Sequence, residues 1–133
     1  KRTRLPGSGG AADIAAMAKR CIIIMNHERR RFVEKVHFIT SSGYGDGAGW
    51  RERLGLSGGG PIRVITSMGI FSFDSLTREM ILSSNHPGIS VDEIRNETGW
   101  LVKTAADLRE TAAPTRDELA AVRKYDPKGV WTA

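Results

Sequence analysis

An α/β fold is predicted by three features of this 133-residue sequence. The first is the continuous apolar run at 20–26 (RCIIIMN), whose β-branched residues suit a central strand covered on both faces. The second is the small-residue segment just ahead of it, 11–19 (AADIAAMAK), which reads as a helix able to pack close to that strand. It places Ile14, Met17 and Ala18 on one face and Asp13 in its first turn. The third is an alternation of short strands and capped helices through the rest of the chain.

Those later elements follow in order. Val36 to Thr40 predicts a short strand, and residues 41–50, dense in glycine, predict a loop. Tyr44 and Trp50 in that loop require a surface to cover them, which favours a buried contact there. Arg51 to Leu56 predicts one helical turn, and Ser57 to Pro61 a second turn signal. Residues 61–66, 69–73 and 79–83 predict three strands in an antiparallel meander. Ser90 followed by Glu93 is a capping box that opens a helix, with Gly99 placed to end it. Thr115 and Glu118 repeat the box for a helix reaching about Tyr125, with Leu119 and Val122 as its apolar stripe. Trp131 in the tail reads as an aromatic anchor.

Composition narrows the function classes. At 40% hydrophobic and 26% charged, the chain fits one globular domain or part of one. No apolar run is long enough to span a bilayer, and the basic start Lys1-Arg2-Thr3-Arg4 is followed by Pro6 and glycines rather than by a signal core. The single cysteine, Cys21, rules out an internal disulfide and predicts a reducing, cytoplasmic setting, with Cys21 itself a buried small side chain. A net charge of +5 raises nucleic-acid binding as an alternative. The aromatics, however, are not spaced as a stacking platform, and the Arg29-Arg30-Arg31 run reads better as a solvated or phosphate-facing patch.

The stretch Leu5 to Ile14 carries the strongest chemical signal. Gly7, Gly9 and Gly10 lead directly into the helix, whose first turn has unpaired N–H groups and a partial positive charge suited to an anion or oxyanion. A tight turn serving backbone geometry alone is the other reading, and the loop by itself does not choose. It lacks the P-loop ending and fails the dinucleotide G-x-G-x-x-G pattern. His27, His37 and His86 have no metal spacing and read as structural or surface residues; no metal site is expected. Among carboxylates near the loop, Asp13, Glu28 and Glu34 are candidates and none stands out. Because the first residue is Lys and no strand precedes the glycine loop, the chain reads as one piece of a longer one.

Five separated motifs occur in a specific order. They are Pro6-Gly7-Ser8-Gly9-Gly10-Ala11 with Asp13-Ile14; Arg31 to Val36 with Phe38-Ile39-Thr40-Ser41; Gly58-Gly59-Gly60-Pro61; His86-Pro87-Gly88; and Thr98-Gly99-Trp100. Together they resemble the β-type subunit of family I coenzyme A transferases, nearest the glutaconate branch and the related acyl-CoA hydrolases of steroid-ring degradation.

The resemblance implies a CoA-transferase/NagB-like α/β fold, an open sheet with helices on both faces of which this chain is an incomplete domain, built as paired α and β subunits. It implies that residues 1–133 are the C-terminal portion of a β subunit about twice as long. The substrate would be a coenzyme A thioester, with no cofactor held permanently. In the transferases a glutamate attacks the thioester and passes through a glutamyl-CoA thioester, and that glutamate falls outside this sequence. The hydrolases place their catalytic carboxylate on the α subunit. Backbone N–H groups of Gly9, Gly10 and Ala11 would hold the thioester oxygen, with Gly7 and Ser8 beside the bound CoA. Arg29 and Arg30 would meet CoA phosphates or an acidic partner surface, unless they form a structural salt-bridge cluster. A non-catalytic scaffold completing a partner's site is the remaining alternative.

Overall fold

The computed structural model of the chain describes residues 7–56 and 59–130. Arg2, Arg4, the Ser57-Gly58 part of the turn signal and Trp131 lie outside the described residues. The first element is helix α1 (Gly9–Met17), followed by strand β1 (Cys21–Met25) and the single turn of helix α2 (Trp50–Arg53). Strands β2 (Pro61–Thr66), β3 (Gly69–Phe73) and β4 (Met80–Asn85) come next. Helix α3 (Val91–Asn96), strand β5 (Lys103–Glu110) and helix α4 (Arg116–Tyr125) complete the order.

All five strands join one open mixed sheet in the order β1-β2-β3-β4-β5. β2, β3 and β4 form the expected antiparallel meander, while β1 runs parallel to β2 and β5 parallel to β4. Four strands therefore point the same way and β3 opposes them. Met25, Thr66, Asn85 and Glu110 all end at one rim of the sheet. In open α/β sheets that carboxyl rim is where ligands gather.

The core is small and lies on one face. Val64, Phe71 and Leu82 from the sheet meet Ile94 of α3, Val102 and Phe32, all buried. Each fully buried side chain of this kind contributes about 2 kcal/mol. Ser90 and Thr115 cap α3 and α4 as their sequences require. Each hydroxyl accepts the N–H of the glutamate three residues on, and each glutamate accepts the cap residue's own N–H. Those bonds hold the Glu93 and Glu118 carboxyls below the usual carboxylate range.

Several expectations are corrected. β1 lies at the sheet edge, not in its centre, and Ile22 and Ile24 are 53% and 78% exposed. Its continuous apolar run carries no information about which neighbours are present. α1 begins two residues earlier than expected, so Asp13 falls outside its first turn, and Ile14 and Met17 face outward instead of into a core. Residues 36–40 form no strand; Val36, Phe38 and Ile39 are exposed in irregular chain. Gly99 does not end α3, which stops at Asn96. It is the point where two backbones touch: its N–H donates to Phe32 O at 2.6 Å, and a Cβ there would lie 2.7 Å from that oxygen and 2.8 Å from Glu34 N. β5 is an addition to the expected elements, since KTAADLRE has only Ala105 and Leu108 half-buried.

The Gly99 contact is backbone against backbone, with no side chain able to swing aside. Gly99→Ala is therefore expected to destabilise the chain by about 1–3 kcal/mol, read as a lowered urea midpoint.

Candidate active site

α1 opens as a glycine helix should. Ser8 is its N-cap residue without a side-chain cap bond, and Gly9 adopts φ +27°, a backbone angle that side chains resist. A Cβ added at Gly7, Gly9 or Gly10 would meet nothing within 4 Å, so these glycines leave open space over the main chain rather than fit a packed one. As the first two helical residues, Gly9 and Gly10 have no acceptor inside the helix for their N–H groups. Ala11 differs. Its N–H donates to Ser8 O at 2.9 Å, as does that of Ala12 at 3.3 Å.

α1 buries none of its side chains, so something other than a core fixes it. Arg51 does so. This guanidinium, 4% exposed, donates from Nη2 to Ala16 O near the carbonyl end of the helix and from Nη1 to Gly43 O at 2.9 Å. A cation suits that negative helix end. Gly59 N–H donates to Lys19 O and Cys21 N–H to Gly60 O, tying the helix exit to the start of β2. A cleft of about 200 Å³ lies between Ala12, Asp13 and Ala16 of α1 and Thr40, Trp50 and Arg51 of the loop.

The loop at 41–50 finds its cover within the chain. Tyr44 sets its ring edge-on to Phe73 at 5.1 Å and its hydroxyl between Gly59 O and Pro61 O. The Trp50 indole lies against Gly45 so closely that a Cβ there would fall 2.1 Å from the ring.

At the carboxyl rim two histidines flank Thr66. Thr98 donates its hydroxyl proton to Ile94 O at 2.6 Å, so it must accept from His27 Nε2–H at 3.0 Å. That leaves Nδ1 unprotonated and facing the Thr66 hydroxyl at 3.2 Å, a tautomer assigned from the bonding pattern, with the Gly69 carbonyl competing for that hydroxyl's single proton at 2.9 Å. Both lone pairs of the Thr66 oxygen already take the Met68 and Gly69 N–H groups. A proton on Nδ1 would have no acceptor. Burial, with the His27 ring stacked on Phe32 at 4.0 Å, also pushes its pKa below 6.5; the nearby Glu97 charge opposes this more weakly. His86 donates from Nε2 to Thr66 O at 2.9 Å and accepts from Thr111 at Nδ1, while Thr111 accepts from Ser84. Both rings are committed to hydrogen bonds within the carboxyl rim. Among the described residues no cluster of three potential metal ligands occurs, and no helix is long and apolar enough to cross a membrane.

The basic run is divided among structural tasks. Arg29 Nη1 donates to Asn96 O at 2.6 Å and Thr98 O at 3.1 Å, closing the end of α3, and its N–H donates to Glu97. Arg30 and Arg31 both pair with Glu28, whose carboxyl these contacts hold below its ordinary range. The salt-bridge reading of the cluster is the one observed, with Arg30 still largely exposed. Cys21 is half-buried and free. Arg51, Thr66 and Thr98 build the site without any local signal that marks them; a buried arginine in a glycine loop looks like any surface one until its carbonyl partners are placed.

Comparison with known proteins decides the lineage. A family model described as coenzyme A transferase matches residues 1–97. This chain belongs to the coenzyme A transferase family. It is 42% identical over 127 residues to the B-type subunit of the 3-oxoadipate CoA-transferase of Pseudomonas knackmussii, covering 96% of this chain and 49% of that protein. Over 100 residues it is 46% identical to the B-type subunit of the glutaconate CoA-transferase of Acidaminococcus fermentans, covering 74% of this chain and 37% of that one. The crystal structure of the Acidaminococcus fermentans glutaconate coenzyme A-transferase superposes with a TM-score of 0.84 at 39% identity, covering 99% of this chain and 51% of that one. A cholesterol ring-cleaving hydrolase IpdB subunit of Mycobacterium tuberculosis is 31% identical over 110 residues, 79% of this chain and 42% of that protein. The chain thus spans about half the length of the curated relatives it matches, and the open sheet of the coenzyme A transferases is the fold it shares with them.

Two outcomes follow from the site's geometry. Since folded His27 binds its proton less readily than the unfolded chain, stability is complete above pH 6.5 and is lost as pH falls from 6.5 through the lowered folded value. The lowered carboxylates titrate below that window, so unfolding midpoints measured from pH 7 to 5 should fall in the wild type and flatten in His27→Gln. Arg51→Lys cannot span both Ala16 O and Gly43 O, and is expected to cost about 2 kcal/mol in a denaturant titration.

Proposed function

We propose that this chain is the C-terminal portion of a β-type subunit of a two-subunit CoA-transferase, which moves CoA between carboxylic acids. The reading rests on one observation above all: Gly9 and Gly10, exposed and with open space beside their Cα atoms, are the first two residues of α1. Kinship with the B-type subunits of two CoA-transferases supports it.

In this reading a glutamate outside the 133 residues attacks the thioester carbonyl carbon. The carbonyl π electrons move onto oxygen, and that oxyanion accepts the Gly9 and Gly10 N–H groups. Collapse expels the CoA thiolate, which attacks the glutamyl carbonyl to leave a glutamyl-CoA thioester and release the carboxylate; the acceptor acid reverses the sequence. Backbone donors require no side chain, so no catalytic side chain stands out in α1. Gly7 and Ser8, which lead into that end, and the exposed Arg30 would contact CoA, whereas Arg29 is committed to α3. An α-type subunit would complete the site. Coenzyme A enters as substrate, not as a resident cofactor. The hydrolase relative supports a second reading, in which water rather than a carboxylate takes the acyl group.

The test is CoA transfer by the complete two-subunit enzyme. Gly10→Pro removes one amide within the first helical turn, where no intrahelical bond is lost, and should lower kcat by about 10²–10³. Gly10→Ala keeps the amide and has open space for its methyl group, so it should remain close to wild type. Undiminished turnover in Gly10→Pro would remove the helix mouth from the mechanism.

A further inference from the structure

We propose that Arg51 is a positioning residue for the reaction: by gripping the carbonyl end of α1 it aims the amide end. The proposal rests on the reading in which the Gly9 and Gly10 amides receive the oxyanion.

A helix is ordinarily held by a buried apolar face, but α1 buries no side chain. A cleft of about 200 Å³ lies between its Ala12, Asp13 and Ala16 and the loop residues Thr40, Trp50 and Leu56. The described hydrogen bonds that tie the helix and its exit to the rest of the chain run from Arg51 Nη2 to Ala16 O and from Gly59 N–H to Lys19 O. Both lie at the carbonyl end. Gly9 lies a further two turns away, about 10 Å from Ala16 along the axis. A tilt of about 6° at the tether therefore moves the mouth by about 1 Å, and a misplacement of that size costs a reaction about 10²-fold.

Arg51 is built to resist such a tilt. It is 4% exposed, and its fork joins two segments, Ala16 O through Nη2 and Gly43 O through Nη1 at 2.9 Å. Its stem lies against Gly60, where a Cβ would fall 3.2 Å from Arg51 Cδ and 3.3 Å from Nε. The Tyr44 ring meets the same point at 3.2 Å, and its hydroxyl is fixed on Gly59 O and Pro61 O. Leu56 N–H donates to Arg51 O at 3.0 Å, which holds the backbone behind the side chain. A planar fork with fixed N–H directions constrains angle as well as distance. An ammonium group on a flexible stem supplies the charge without the direction. A purely structural anchor, by contrast, would stabilise the chain and leave the turnover of each folded complex unchanged.

The test compares Arg51→Lys, Gly99→Ala and Gly10→Pro in the complete two-subunit enzyme, well below the unfolding transition of each. Gly99 packs on the Phe32–Glu34 backbone, so Gly99→Ala reports what destabilisation alone does to turnover. In Arg51→Lys, kcat for CoA transfer per folded complex should fall about 10-fold to 10²-fold with KM for the acyl-CoA unchanged, while Gly99→Ala keeps the wild-type kcat. Arg51→Gln, a shorter neutral side chain, is the second variant and should follow Arg51→Lys. Combining Arg51→Lys with Gly10→Pro should cost less than the product of the two single losses, because both act through one helix mouth. Hydrogen exchange should quicken in the α1 amides of Arg51→Lys more than in those of β2, β3 and β4. An unchanged kcat in both Arg51 variants, losses that multiply in the double variant, or an equal loss in Gly99→Ala overturns the positioning role and leaves the CoA-transferase reading standing. A wild-type complex that transfers no CoA overturns that reading, and the positioning role with it.

Discussion

One hydroxyl holds the carboxyl rim of this sheet together. The Thr66 oxygen receives the Met68 and Gly69 amides, which sets the tight turn between β2 and β3, and it meets the His27 ring that carries the chain away from β1. The Thr66 carbonyl receives His86, which leaves β4. Three of the four parallel strand ends are thus coupled within one residue's reach, and Thr111 brings in the fourth through His86. A buried polar cluster of this kind is stable only when every donor has an acceptor, and the described residues leave no buried side-chain nitrogen or oxygen unpaired.

The opposite strategy fixes α1. It contributes nothing to the core and is held at its far end, by Arg51 on Ala16 O and by the Lys19–Gly59 backbone bond. Anchoring a helix by its carbonyl terminus leaves its amide terminus open. That asymmetry lets a glycine-rich mouth stay accessible without loosening the element behind it. The glycine loop at 41–50 serves this arrangement, since it brings Gly43 O and the Tyr44 ring to where Arg51 and β2 need them.

Much of this was legible in the residues. β2, β3 and the two capping boxes follow from alternation and from Ser/Thr–Glu spacing, because each depends on neighbours a few positions apart. The passage from glycine loop to helix was legible for the same reason, although the helix opens at Gly9 and not at Ala11, and Arg30 and Arg31 pair with their acidic neighbour Glu28. What escaped was decided across long separations. Arg51 and Ala16 lie 35 positions apart, His27 and Thr98 lie 71 apart, and no local pattern announces either pair. β5 is invisible in the residues because its register against β4 comes from pairing, with few apolar side chains to mark it. β1 misleads for the reverse reason: a strand apolar on both faces looks central whether or not a neighbour is present.

That strand has a further consequence. Cys21 to Met25 offers a row of ladder groups on its outer side, flanked by isoleucines, with no charge, no proline and no bulge beyond its first residue to deflect an incoming chain. Such an edge is a template for stacking identical segments into cross-β ribbons. Among the described strands that edge is five residues long and lies opposite β5, and a lysine in place of Ile22 or Ile24 is the change expected to blunt it.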